Sequence, residues 1–387
     1  MRFRYSESDG EQGLFRSPDD LFPPKALIQF LMQHGQEGLD ALPEMDEQVQ
    51  ALLQELIDAG LIERDEESGA LRLTPRMHRS MQHRALLEIF GGLKAGVRDG
   101  HVTADPGKAG ERSDGTKPYE FGDAVSEIAT HETLRNAIRR GGAGPGGVAI
   151  GPSDFETHHL ESTADTALCV LIDLSGSMAR YGRHVAAKRI AMGLAAMVRE
   201  RFRHDTVDFI GFASVAERLR EEDLPLIVPK PVTTRAWEVK VRIPLRDAKK
   251  THPHMTNLQH ALRMARATLM KRGAANKQVF VITDGQPTAH LTDAASGPGH
   301  EALNLIYPPT EETAEATLTE ALRLTQAGIR LSLFALIEEY HDMDWVGFVD
   351  RLARLTRGMA FSCVAGDLGT LVMDSYLAGK RKRKVVG

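Results

Sequence analysis

The chain has 387 residues, 42% hydrophobic and 26% charged, and its 48 Lys plus Arg against 53 Asp plus Glu give a formal net charge of -5. That length suits two domains of roughly 100–200 residues, with the balance of an ordinary globular chain and not of a disordered or fibrous one. No apolar run reaches the roughly 18 residues that cross a bilayer, and residues 1–7 offer no apolar leader. Cys169 and Cys363 sit in apolar segments without CxxC spacing, which excludes a disulfide scaffold or zinc knuckle and makes a reducing cytoplasm the expected setting.

Residues 1–90 hold 9 Lys/Arg against 17 Asp/Glu, whereas the remainder is slightly basic, which marks residues 1–94 as a separate unit. Pro23 and Pro24 precede a helical stretch carrying Ala26, Leu27, Phe30 and Leu31. Asp46 is placed to cap a second helix, in which Val49, Leu52, Leu53, Leu56 and Ile57 share one face, and Gly60 ends it. Strands at 61–64 and 71–73 flank a polar turn, and Pro75 opens a helix with Met77, Met81, Leu86, Ile89 and Phe90. The outline is that of a winged helix. Its second helix exposes Glu47, Gln48, Gln50, Gln54, Glu55 and Asp58, however, and an acidic face repels phosphate. Protein contact or domain packing is therefore favoured over reading DNA.

Residues 95–164 are rich in Gly, Asp, Arg and Ser and read as a Gly-rich linker and lead-in. The Gly run at 141–147 has no Gly-Lys-Ser/Thr after it and no apolar strand before it, so a phosphate-binding P-loop is absent. From 165 to 378 short β-rich runs at 167–173, 207–212, 278–283, 329–336 and 359–363 alternate with helical patterns, among them the Ala-rich segment 185–198. Alternation of this kind predicts an α/β fold with a doubly wound, mainly parallel, Rossmann-like sheet. The Pro-interrupted stretch 216–251 is irregular, with an extra strand at 237–241. The pairs His158/His159 and His252/His254 and the basic tail at 379–387 read as solvated features.

The first strand of this region ends in Asp173-Leu174-Ser175-Gly176-Ser177, at the carboxyl end where open α/β sheets bind ligands. Thr256 lies just before a later helix, and Asp284 ends another strand. The five side chains Asp173, Ser175, Ser177, Thr256 and Asp284 can converge on one face. Two carboxylates and three hydroxyls are hard oxygen donors, which select Mg²⁺ or Mn²⁺ over zinc or copper. With at least one coordination position left open, such a site favours a carboxylate arriving from another molecule.

At these residues the chain resembles a von Willebrand factor A (VWA) domain with a complete metal-ion-dependent adhesion site, over about residues 165–378. The resemblance implies that Ser175 and Ser177 coordinate the ion directly, that Asp173 and Asp284 act largely through water, and that Thr256 alternates between direct and indirect contact. Where the family often has Gly before the Thr, this chain has Met255. The loop 284–290 with Tyr307-Pro308-Pro309 and the segment 117–123 look like the intracellular bacterial branch encoded beside MoxR-type or magnesium-chelatase-type AAA ATPases. That likeness implies an accessory role in chaperone-like or metal-insertion complexes.

The expected function is a non-enzymatic, Mg²⁺-dependent interaction subunit, an adaptor for a MoxR-type AAA ATPase that supplies an Asp or Glu to the metal. The alternatives are a metal-dependent hydrolase or phosphoryl-transfer enzyme and a winged-helix DNA-binding regulator. Against the former, Asp173 lacks the second Asp of an aspartyl-phosphate phosphatase two residues on, and Ser175 has no Gly-x-Ser-x-Gly elbow.

Overall fold

The structure, a computed structural model, describes residues 25–65, 69–90, 111–119, 128–141, 147–161, 165–234, 236–293, 301–336, 343–364 and 366–380. Contacts divide the chain into two compact units, residues 1–95 with 166–376 and residues 96–165 with 377–387.

The first unit opens with helices α1 (Lys25–Ala41) and α2 (Glu47–Asp58), a hairpin of β1 (Ile62–Arg64) and β2 (Leu71–Leu73), and helix α3 (Pro75–Phe90). Asp46 caps α2 by accepting from the Val49 amide at 3.0 Å, a contact that stabilises a helix by about 1 kcal/mol. Gly60, at φ 65°, takes the chain out of α2. The hairpin pairs Ile62 with Leu73 and turns both inward. Helix α1 breaks at Gly35 (φ 64°, ψ -144°), where an added Cβ would lie 2.4 Å from the Leu226 carbonyl oxygen. Only glycine combines that conformation with so close an approach.

In the second unit the expected Gly-rich linker and lead-in at 95–164 carries structure of its own. Strands β3 (Glu111–Pro118) and β4 (Glu156–Glu161) pair antiparallel, and helix α4 (Thr130–Gly141) lies between them in sequence. Polar ties hold the described part together. Arg140 makes a two-pronged contact with buried Asp154 at 2.9 and 2.8 Å, Asp154 also accepts from the Gly151 amide at 2.7 Å, and Asn136 donates to Glu156 at 2.8 Å. A unit tied by charge and hydrogen bonds has the composition of a linker, which is why hydropathy alone misreads it. Residues 142–146 of the Gly run, and 120–123 of the segment beginning at Lys117, lie outside the described residues, as do the side chains of His158 and His159.

Resuming at Thr166, the first unit continues with β5 (Thr166–Asp173), α5 (Arg183–Arg201), β6 (Thr206–Phe212), β7 (Ala216–Leu219), β8 (Val239–Pro244), α6 (Leu258–Leu269), β9 (Asn276–Thr283), β10 (Ala289–Asp293) and β11 (Glu301–Tyr307). It ends with α7 (Glu311–Gln326), β12 (Arg330–Leu336), α8 (Met343–Thr356), β13 (Met359–Cys363) and α9 (Leu368–Lys380). Six strands form the main sheet in the order β13-β12-β9-β5-β6-β7, parallel except for β7. The sheet is buried on both sides, so its strands are continuous apolar runs, as in 168–172. On one face Ala167, Cys169, Leu171, Val279 and Val281 meet Leu262, Ala265, Leu324, Trp345 and Leu352 of α6, α7 and α8. On the other, α5 packs on β5 and β6, and Ser375 of α9 hydrogen-bonds Ser332 of β12 at 3.0 Å. The sheet is thus doubly wound, as its pattern requires. No helix among the described residues is long and apolar enough to cross a membrane.

The N-terminal helices pack on the outside of α5. Helix α3 runs against it, and Gly193 lets Ile89 approach so closely that a Cβ would stand 2.5 Å from the isoleucine Cδ1. Lys188 of α5, wholly buried, donates to the carbonyls of Met32, Pro225 (3.0 Å) and Ile227 (2.7 Å). Burial pulls its ammonium down to about 7, while three carbonyls match the three N–H bonds that only the charged form carries.

The irregular stretch contributes to a separate three-stranded antiparallel sheet, β10-β11-β8. The extra strand expected at 237–241 runs instead from Val239 to Pro244, and Trp237 before it is 92% exposed. Met255 is buried among Val239, Ala289, Leu291, Leu303 and Leu305 of this sheet.

Candidate functional site

Strand order reverses at β5: its successor β6 lies on one side and β9 on the other. The crevice at the carboxyl ends beside such a switch point is where an open α/β sheet binds its ligand. Asp173 is the last residue of β5 and Asp284 follows the last residue of β9, so the topology brings residues over a hundred positions apart to one place.

Asp173 is fully buried and its Oδ1 accepts the Ser175 amide at 2.7 Å, which turns the chain sharply after the strand. Its Oδ2 accepts from the Thr283 hydroxyl. Ser175 Oγ lies 3.1 Å from Ser177 Oγ, and Ser177 Oγ donates to Asp284 Oδ1 at 2.7 Å. Asp284 Oδ2 accepts from Arg183 Nη1 at 2.6 Å. Four of the five expected residues are thereby linked in one hydrogen-bonded chain. Burial first, and then the Asp284 charge, push the Asp173 carboxyl up to about 7, against the hydrogen bonds from Thr283 and Ser175.

Thr256, also buried, is held by its backbone between the two loops. Its carbonyl accepts from Thr288 (2.9 Å) and Ala289 (3.1 Å) beyond Asp284, and its amide donates to Thr288 Oγ1 at 2.9 Å. Two residues earlier the His254 carbonyl accepts from the Gly176 amide at 3.0 Å. Asn257 caps α6 by accepting from His260 N at 3.0 Å and fixes the other side of the loop by donating to the Ser214 carbonyl at 3.0 Å. The Met255 side chain, sunk in the small sheet, completes the anchorage.

A cation would have to be held largely by hydroxyls, because no group of three or more His, Cys, Asp and Glu among the described residues is arranged as metal ligands. The donor set fits a small divalent ion. An octahedron with bonds near 2.1 Å has edges of about 3 Å. The oxygen separations of 3.1 and 2.7 Å along Ser175, Ser177 and Asp284 are close to such edges.

The rim departs from expectation at the histidines. His252 and His254 are half-buried, their rings 5.7 Å apart, and both face Thr233, which reaches His252 Nδ1 at 2.8 Å through its hydroxyl and donates its amide to His254 Nδ1 at 3.3 Å. They brace the segment beside the motif: Lys230 N donates to the Leu174 carbonyl at 2.8 Å, and a Cβ at Gly176 would stand 2.5 Å from Val232 Cγ2. A side chain between the two serines would therefore have to push the exposed Val232 side chain aside.

Sequence reading missed Thr283, Arg183, Asn257 and Thr288. Thr283 was within reach of it, standing next to Asp284 at a strand end; Arg183 was not, since no motif around it marks it as a partner of Asp284.

A family model described as Rv0959-like protein, vWA domain, matches residues 166–377, and that for Rv0959-like protein, third domain, matches residues 111–159. Uncharacterized protein Rv0959 of Mycobacterium tuberculosis (strain ATCC 25618 / H37Rv) and Uncharacterized protein Mb0984 of Mycobacterium bovis (strain ATCC BAA-935 / AF2122/97) are each 29% identical over 330 residues, 84% of this chain. The chain spans only 44% of the length of these relatives. Among solved structures, the PilB minor pilin from Streptococcus sanguinis superposes with TM-score 0.40 and 14% identity over 63% of this chain and 68% of its own. The vWF domain of the type V pili tip protein Mfa5 from Porphyromonas gingivalis does so with TM-score 0.38 and 12% identity over 58% of this chain and 99% of its own. With the vWA model covering more than half of its residues, the chain belongs to the Rv0959-like family and carries that family's vWA domain at residues 166–377.

Proposed function

We propose that the chain is a non-enzymatic interaction subunit whose vWA domain binds Mg²⁺ or Mn²⁺ and, through it, an Asp or Glu of a partner protein. One observation carries this reading: the hydroxyls of Ser175 and Ser177 and the carboxylate of Asp284 stand at octahedral-edge spacing at the sheet's switch point, with the Asp173 carboxylate tied to the Ser175 amide beside them. Ser175, Ser177 and Thr256 would supply neutral oxygens, and Asp173 and Asp284 the charge that offsets the ion. The ion's part is to offer positive charge to an incoming carboxylate.

For the partner we favour a MoxR-type AAA ATPase, supported by the likeness of 284–290, 307–309 and 117–123 to proteins encoded beside such ATPases. The test is capture of that ATPase by the purified chain in Mg²⁺ and again in chelator. Capture should need the ion and be lost in Asp173→Ala and Thr256→Ala, with roughly 30-fold or greater loss of affinity, since truncating one side of a buried charged contact costs 2–5 kcal/mol. Capture indifferent to chelator and to both substitutions would remove the metal from the contact. Phosphate-ester or peptide hydrolysis that disappears in the same variants would instead establish the enzyme reading.

A further inference from the structure

Arg183 is the one cationic side chain bonded to the candidate site's carboxylates among the described residues. It opens α5 six positions after Ser177, is only 8% exposed, and places Nη1 2.6 Å from Asp284 Oδ2. Its Nε has no hydrogen-bond partner among the described residues, so the guanidinium is held by the carboxylate and by the Tyr181 ring, whose centroid lies 5.1 Å from its Cζ. Tyr181 itself takes a positive φ of 54°, in the turn that aims Arg183 back at the site. A buried cation resting on a carboxylate needed for a metal is not explained by packing, because an apolar residue at the helix start would fill the space without desolvating a charge.

We propose that Arg183 sets the charge of the cation site, weakening ion binding by pairing with Asp284 while leaving the loaded site positive enough to draw a carboxylate from a partner. This rests on the cation reading given above. Two carboxylates and a divalent ion sum to zero; with the guanidinium of Arg183 added they sum to one net positive charge. A neutral loaded site attracts an anion only through local polarity, whereas a positive one attracts it at longer range and holds it in a low-dielectric setting. The same charge opposes the ion's entry. In the ion-free state Arg183 partly neutralises two carboxylates at close quarters, so the domain stays folded between ligands. A site of this design exchanges its ion readily and is completed by the partner's acid.

The test uses the full chain and Mn²⁺ alone as probe, followed by calorimetric titration, with thermal unfolding in chelator as a second readout. Arg183→Gln should bind Mn²⁺ at least roughly ten-fold more tightly than wild type, within the range of coupling between neighbouring charged sites, and should unfold at lower temperature without the ion. Arg183→Lys, which keeps the charge, should stay near wild-type affinity. Tyr181→Ala, at an exposed ring, loosens the guanidinium without removing it and should tighten Mn²⁺ by about two- to four-fold, the value of a surface cation–π contact. This variant decides the matter should Arg183→Gln fail to fold. Equal or weaker Mn²⁺ binding in Arg183→Gln, or in Tyr181→Ala where only that variant folds, overturns the proposal and makes Arg183 a plain anchor for Asp284. Absence of Mn²⁺ binding in wild type and variants alike overturns the cation reading itself, and the proposal with it.

Discussion

Two of the buried ionisable groups of the first unit, Lys188 and Asp173, are treated differently. Lys188, between α5, α1 and the 225–227 segment, finds a fixed backbone carbonyl for each N–H, so nothing further is needed to complete it. Asp173, at the end of β5, shares its surroundings with a second carboxylate, and among the described residues one cation, Arg183, is bonded to the pair. A charge saturated by backbone locks the elements that supply the carbonyls. A charge left partly compensated stores free energy that a ligand can release, which is how a site differs from a joint.

The largest expected effect is at the joint. Lys188→Met takes the donor from three carbonyls of two segments, α1 and 225–227, and a buried orphan costs about 1–3 kcal/mol, so unfolding in urea should show a loss of about 3 kcal/mol. A variant with an unchanged midpoint would mean that water replaces the ammonium and that the joint is no lock. The same substitution should leave Mn²⁺ affinity per folded molecule unaltered.

At the site the sign reverses. Asp173→Asn removes a buried charge whose carboxyl stands at about 7, so in chelator near pH 8 the variant should be more stable than wild type by on the order of 2 kcal/mol. It should also lose the stabilisation that Mn²⁺ gives the wild type. Lower stability of Asp173→Asn in chelator would place Asp173 with Lys188 as a structural group. A pH titration sharpens the point. The folded carboxyl keeps its proton to about 7 whereas the unfolded one releases it near 4, so between those values the folded chain binds more protons and this group's contribution to stability falls as pH rises. Mn²⁺ favours the ionised form, so its thermal shift should be large at pH 8 and small at pH 5, with the dependence flattened in Asp173→Asn.

How much of each region could be read from the sequence follows from the range of its interactions. The main sheet was legible because strands buried on both faces are unbroken apolar runs, as at 168–172 and 279–282, and the motif was legible because Asp173, Ser175 and Ser177 are neighbours in sequence. The small sheet β10-β11-β8 was not, since its members are separated by α6 and β9 and its core borrows Met255 from a loop. The residues 111–161 were misread because Arg140, Asp154 and Asn136 do there what leucines do elsewhere. Docking of the N-terminal helices on the 226–228 segment and on α5 depends on what Gly35 and Gly193 lack, a side chain, and an absence leaves no periodic mark.

The smallest expected effect falls on the exposed face of α2, which takes part in neither region. Glu47, Gln50, Gln54, Glu55 and Asp58 are exposed, and the described bonds of this face, such as Gln54 to Asp58 at 2.8 Å, stay within or beside the helix. Reversing two charges there, Glu47→Lys with Glu55→Lys, should change folding stability by no more than about 0.5 kcal/mol. The outcome for nucleic acid discriminates more. A winged helix that reads DNA presents basic groups on this helix, and counterion release makes such binding steeply salt-dependent. The acidic face should keep the full chain from binding a duplex tightly at physiological salt. Tight, salt-sensitive binding by the wild-type chain that is insensitive to Mn²⁺ would restore the regulator reading, and would move the function from the carboxyl ends of the sheet to the helices docked on α5.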